Sequence, residues 1–171
     1  MGYLNERLRS ELVAMAENDL SVREELIADE SLTNQGYHPR MEAVHKRNAS
    51  RLTLIIDRCG WPGVSLVGEN GAWAAWLIAQ HAIGNPPFMR RCLGLLKQAA
   101  SENEAPRWQP AMTEDRIRMY EGRPQTYGTQ FQPDKNGAFV PYTIENPENV
   151  NERRRAVGLN TLEEKIAEIR E

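Results

Sequence analysis

Apolar residues recur at helical spacing over most of the chain. One stripe covers residues 4–26, and a second covers residues 41–59 and ends at Gly60, where a left-handed helix cap is expected. From Ala72 the chain is apolar on nearly every side, which predicts a helix central to the core. Shorter helices are predicted at residues 88–100, 111–120 and 151–157, and after the capping box Thr161-x-x-Glu164.

Two segments depart from this helical spacing. Four glycines between Gly60 and Gly71 predict a loop. From Gln125 the spacing changes to two, and turn residues at 133–137 separate this segment from a second predicted strand at 138–144. The sequence therefore predicts a single α-rich domain over residues 1–171, a bundle of six or seven helices with one β-hairpin near residues 125–144.

Composition and charge exclude several classes of protein. Charged residues make up 26% of the chain and the mean hydropathy is -0.62, as in a well-solvated globule. The longest apolar stretch, at 73–79, is far short of the roughly 20 residues that span a bilayer. A net charge of -3 gives no electrostatic footprint for nucleic acid or anionic lipid. We expect a cytoplasmic protein that binds neither, with Cys59 and Cys92 as small core residues in a reducing compartment.

Polar residues interrupt the apolar stripes of four predicted helices. Burying an unpaired polar group costs about 1–3 kcal/mol, so these side chains are expected to meet in one pocket. Each also has a plain structural interpretation, such as a surface pair between Asp19 and Arg23 or a backbone hydrogen bond from His81. The interrupting residues are Asp19, Asn48, Gln80 with His81, and Asp115 with Arg116.

Several short motifs are spread along the chain. They are Gly60-Trp61-Pro62, Ser65-Leu66-Val67-Gly68, Gln80-His81, Asp115-Arg116, Gln125-x-Tyr127-Gly128-Thr129-Gln130, and Arg154 or Arg155 with Gly158-Leu159. Together, over about residues 12–162, they resemble a family of uncharacterised bacterial proteins, a domain of unknown function. The resemblance supplies no reaction, but it implies that six residues form one constellation: His81, Asp115, Arg116, Gln125, Tyr127 and Gln130. An acidic residue is common in that family near the position of His45, so a carboxylate role is in doubt there.

An imidazole beside a carboxylate is the usual arrangement for general acid–base catalysis. His81 and Asp115 are the predicted catalytic pair, with Asp115 orienting the imidazole, and Arg116 is predicted to hold a small anionic ligand. The other predicted ligand-binding residues are Gln125, Tyr127, Gln130, Gln80, Asn48 and Asp19. This describes a hydrolase- or transferase-like enzyme for small molecules. The alternative is a non-catalytic binding or regulatory module in which the same polar network is structural.

Motif spacing does not predict a metal or nucleotide site. Glu42-x-x-His45 places a carboxylate and an imidazole on one helical face, as in carboxylate-bridged dimetal proteins, but those proteins need two such motifs. The glycine pairs at residues 60–63 and 68–71 lack the lysine of a phosphate-binding loop. We therefore expect neither a metal nor an organic cofactor.

Overall fold

The computed structural model describes residues 4–32 and 36–170. These residues form a mainly α domain with seven α-helices and one two-stranded antiparallel hairpin, which confirms the predicted fold class. The helices are α1 (Glu6–Ala28), α2 (Pro39–Cys59), α3 (Val64–His81), α4 (Pro86–Ser101), α5 (Trp108–Tyr120), α6 (Val150–Ala156) and α7 (Leu162–Arg170). The strands are β1 (Phe131–Pro133) and β2 (Phe139–Pro141).

The chain is organised as two compact units, Met1–Ala105 and Pro106–Glu171. The first contains α1 to α4, and the second contains the remaining helices and the hairpin. Over the described part of the chain, no helix has both the length and the apolar character that a membrane crossing needs. The cytoplasmic location stays a prediction.

Helices α1 and α3 run in the same direction in the first unit, and α2 runs against them. Near the start of α1, Arg9 donates a hydrogen bond to Asn70 of α3 at 2.7 Å, and ten residues later Asp19 meets His81. Ion pairs between α1 and α2 join Glu25 to Arg40 and Glu11 to Arg51, so the order of residues in α2 is reversed. Large apolar side chains with at most 1% exposure form the core: Leu12, Leu26, Leu52, Val67, Ile78 and Leu96.

Helix α3 begins earlier than the sequence predicts. The loop expected between Gly60 and Gly71 is wrong from Val64 onward, because the chain is helical there. The helix is interrupted at Gly68, whose φ of +70° lies in the left-handed region that favours glycine. A Cβ at Gly71 would lie 2.8 Å from the Cβ of Val67, four residues earlier in α3, so glycine here lets the helix pack closely on Val67 just after the interruption.

The hairpin of the second unit is shorter than predicted. Phe131 pairs with Pro141 and Pro133 with Phe139, while Gln125 makes an isolated bridge to Ile144. Residues 126–129 form an irregular loop, and the strand predicted there is wrong. The predicted capping box is confirmed, since Thr161 and Glu164 exchange hydrogen bonds at the start of α7.

The two cysteines differ in exposure. Cys92 on α4 is fully buried, which confirms the prediction that it is a core residue. Cys59 is exposed, so the same prediction is wrong for it. It is the last residue of α2, and the chain leaves the helix directly after it at Gly60.

Candidate functional site

Three titratable side chains from three helices meet in the first unit. Asp19 lies on α1, His45 on α2 and His81 at the end of α3. Asp19 belongs to the inward stripe of its helix and is fully buried. Helices α1 and α3 are parallel and close to each other. Asp19, ten residues after Arg9, therefore lies beside His81, ten residues after Gly71. These three residues are called the Asp19 cluster below.

Both histidines direct a ring nitrogen at the same carboxylate. Nδ1 of His81 is 3.0 Å from each oxygen of Asp19, and Nε2 of His45 is 3.3 Å from that carboxylate. The two imidazole ring centroids are 5.2 Å apart. Side-chain exposure rises from 1% at Asp19 to 10% at His45 and 18% at His81, so the cluster is buried with one side near the surface.

The carboxylate of Asp19 is electrostatically dependent on the two imidazoles. Burial on its own raises the pKa of Asp19, but hydrogen bonds from His45 and His81 and the charges of these two rings outweigh it and hold the pKa well below its usual range. Asp19 is therefore an anion at neutral pH. Its hydrogen-bond partners among the described residues are these two rings, and a buried anion requires such compensation.

A tyrosine and a cavity border the cluster on the side of His45. The hydroxyl oxygen of Tyr37 is 2.5 Å from Nδ1 of His45. Because a hydroxyl both donates and accepts, this contact is compatible with either tautomer of the ring. A cavity of about 200 Å³ lies beside it, lined by polar and small residues that include Tyr37, His45, Lys46, Ser50, Gly84 and Asn85.

In the second unit, the side chain of Asp115 binds the backbone of the loop of residues 126–129. Its carboxylate accepts hydrogen bonds from the backbone N–H groups of Thr126 at 2.7 Å, Tyr127 at 3.0 Å and Thr129 at 2.9 Å. Burial raises the pKa of Asp115, and these backbone donors act in the opposite direction. The N–H groups that a strand would pair with a neighbour are bonded to this side chain, which explains why no strand forms.

A buried arginine binds the carbonyl groups of the same loop. Arg154 is 1% exposed and donates from Nη1 to the backbone oxygens of Tyr127 at 2.8 Å and Gly128 at 3.3 Å. Its Nε donates to the backbone oxygen of Asn160 at 2.6 Å. Asp115 and Arg154 thus satisfy the donors and the acceptors of one short loop, and together they fix its conformation.

The remaining residues of the predicted constellation extend this network. Gln125 is fully buried, donates to the backbone oxygens of Gln130 at 3.0 Å and Tyr142 at 3.1 Å, and accepts from the backbone N–H of Gln130 at 2.7 Å. The side-chain oxygen of Gln130 accepts from Nε of Arg116 at 3.0 Å. The second unit therefore brings together the five predicted residues Asp115, Arg116, Gln125, Tyr127 and Gln130.

The first unit holds the other predicted residues. Asp19 and His81 are in contact, and Asn48 donates to the backbone oxygen of Met15 at 3.4 Å. Gln80 is buried next to His81 in the sequence. The pairing of His81 with Asp115 stays a prediction.

The contact of His45 with Asp19 was not predicted from the sequence. A signal was present, because His45 lies four residues after Met41 and three before Asn48, on the inward stripe of α2. The motif Glu42-x-x-His45 instead pairs His45 with a carboxylate on its own helix. The carboxylate that His45 contacts lies on α1, twenty-six positions earlier in the chain.

The fold and the two networks define a mainly α-helical protein with a buried polar network in each of its two units. The chain belongs to the Family of unknown function (DUF6624), whose model matches residues 6–171. This confirms the resemblance to a domain of unknown function. No curated protein and no solved structure matches the chain.

Proposed function

We propose that the protein is an enzyme that hydrolyses a small molecule or transfers a group from it, with His81 as general acid–base. One observation carries the proposal: Nδ1 of His81 is 3.0 Å from both oxygens of the buried Asp19 carboxylate. A carboxylate in this position fixes the tautomer of the ring and stabilises the imidazolium form. The sequence predicts Asp115 for this orienting role, and the contact with His81 favours Asp19.

The proposed chemistry follows from the tautomer. When Nδ1 carries the proton that is donated to Asp19, Nε2 is the nitrogen that accepts a proton from water or from a substrate hydroxyl. The imidazolium that forms is stabilised by the adjacent anion of Asp19 and can return its proton to a leaving group. His81 is the most exposed member of the Asp19 cluster, as a group that meets a substrate should be.

The second unit supports a separate part of the proposal. Arg116 is proposed to bind an anionic group of a small ligand, because Gln130 holds its Nε in place at 3.0 Å. The ordering of loop 126–129 by Asp115 and Arg154 supports this role, since a binding group that is already fixed loses less entropy when the ligand binds.

The second candidate function is a non-catalytic binding or regulatory module. The observation that favours it is the structural use of two motif residues, because the Asp115 carboxylate and Nη1 of Arg154 bind the backbone of loop 126–129. In such a module the networks would stabilise a surface without taking part in a reaction.

Turnover of activated model substrates tests the enzyme proposal. Purified protein would be assayed with p-nitrophenyl esters and p-nitrophenyl phosphates, together with His81→Gln, Asp19→Asn and the control His38→Gln. We expect His81→Gln to lower turnover at least about 100-fold, the usual contribution of a general acid–base group, and His38→Gln to leave it unchanged. Equal turnover in wild type and His81→Gln would refute the proposed role. A wild type inactive on every substrate, with a large fall in melting temperature in His81→Gln, would favour the binding module.

A further inference from the structure

The donor atoms of the Asp19 cluster are those that transition metals prefer. One carboxylate and two imidazoles form the protein ligand set of many catalytic zinc sites and of non-haem iron sites. One ligand atom from each of Asp19, His45 and His81 lies within 4.8 Å of the other two. The three ligands come from three different helices, so no motif of short spacing reveals them in the sequence.

The distances between donors suit an ion of this kind. A zinc ion lies about 2.0–2.2 Å from nitrogen and oxygen ligands, which separates neighbouring ligands of a tetrahedral site by about 3.3–3.6 Å. Nδ1 of His81 and Nε2 of His45 are 3.0 and 3.3 Å from the Asp19 carboxylate. The two nitrogens lie within 4.8 Å of each other, so an ion that replaced the shared protons would draw the two imidazoles together.

The surroundings of the cluster favour a cation. Asp19 is fully buried, and in the described part of the chain neither lysine nor arginine forms an ion pair with it. Coordination through Nε2 of His45 would leave a proton on Nδ1. That N–H can donate a hydrogen bond to the hydroxyl oxygen of Tyr37, which lies 2.5 Å away. Histidine ligands in metal sites are usually held by such a hydrogen bond from their other nitrogen.

From these observations we propose that the Asp19 cluster binds one divalent transition metal ion, with Zn²⁺ as the representative ion and Asp19, His45 and His81 as its ligands. Three protein ligands leave a coordination position for water, and His81, with 18% side-chain exposure, is the most exposed of the three. The inference goes beyond the proposed function, because His81 coordinated through Nδ1 keeps its remaining proton on Nε2 and is then a ligand and not a general base. Nδ1 of His81 holds either a proton or the ion, so the metal-free and metal-bound forms are two distinct states of the cluster.

Equilibrium binding of Zn²⁺ tests the proposal without any substrate. The full-length protein would be treated with EDTA, dialysed and titrated with Zn²⁺ against a chromogenic chelator. We expect one ion per chain with a dissociation constant of about 1 μM or lower. We expect His45→Ala and His81→Ala to weaken binding at least about 100-fold, and Tyr37→Phe to weaken it about tenfold through loss of the supporting hydrogen bond.

His38→Ala is the matched control, because His38 is the third of the three histidines and lies outside the cluster. It should bind Zn²⁺ as the wild type does. No binding by the wild type, or equal binding by wild type and His45→Ala, would overturn the proposal. If a variant fails to fold, two measurements on the wild type still test the proposal. They are the rise in its melting temperature with Zn²⁺ and the visible spectrum of bound Co²⁺. A protein that turns over substrate but binds no Zn²⁺ would refute this inference and leave the proposed function standing.

Discussion

Replacement of Asp115 by alanine tests whether this carboxylate is a main support of the second unit. Asp115 is fully buried, and its oxygens accept hydrogen bonds from three backbone N–H groups of loop 126–129 at 2.7 to 3.0 Å. In Asp115→Ala these donors lose their acceptor. Water can reach some of them, because the residues that carry them are only half-buried.

The expected loss of stability follows from these contacts. A buried donor without an acceptor costs about 1–3 kcal/mol, and the lower value applies to a loop that can relax toward water. Burial of the carboxylate is itself unfavourable, which is why it raises the pKa of Asp115. The substitution removes this cost too, so the lower value of about 1 kcal/mol per donor is again favoured. Three donors at about 1 kcal/mol give a loss of about 3 kcal/mol, a large share of the roughly 5–15 kcal/mol of a typical domain.

Urea unfolding followed by circular dichroism measures this loss directly. In a chain of this length the same change should lower the melting temperature by about 6–12 °C. Asp115→Asn keeps one acceptor oxygen and should recover part of the stability. The control is Asp57→Ala, which removes an exposed pair with Arg91 at 2.6 Å and should change stability by less than about 1 kcal/mol. If Asp115→Ala costs no more than Asp57→Ala, the hydrogen bonds to loop 126–129 do not stabilise the protein and the reasoning is refuted.

Two further predictions concern glycine and cysteine. Gly128 has a φ of +64°, and an added Cβ would lie 2.6 Å from Cδ1 of Ile144, so Gly128→Ala should lower the melting temperature. Gly94→Ala, with open space in the middle of α4, should leave stability unchanged or raise it by up to about 1 kcal/mol, and equal effects of the two would contradict the structure. Burial raises the pKa of Cys92 to about 12, so iodoacetamide at pH 8 should modify Cys59 alone in the folded protein. Mass spectrometry would show one label before denaturation and two after it; two labels in the folded protein would contradict the burial of Cys92.

Burial of apolar stripes made most helices predictable from the sequence. The limits of α1, α2 and α4 lie within a few residues of the prediction, because each helix has one face that must be buried. The start of α3 was not predictable in the same way, since glycines were interpreted as loop residues. A Cβ at Gly63 would lie 2.7 Å from the Cβ of Glu104, so this glycine, like Gly71, serves close packing.

The candidate site was predictable in part. A carboxylate and an imidazole on inward faces indicated that Asp19 and His81 need partners, and the two are in contact. The stripes alone do not specify which helices are neighbours, so His45 was not assigned to the same group. Loop 126–129 was predicted as a strand because alternation of side chains does not show that Asp115 accepts the backbone N–H groups.

The small size of Gly71 affects a place that it never touches. Ten residues of helix separate it from His81, a length of about 15 Å. A larger side chain at position 71 would collide with Val67, four residues earlier in α3, and so would tilt the following part of the helix. Over that length a tilt of about 4° displaces the far end by about 1 Å, enough to break a 3.0 Å contact between a carboxylate and an imidazole. The position of the His81 ring in the Asp19 cluster therefore depends on a turn of α3 about two to three turns earlier, where a glycine leaves room for Val67.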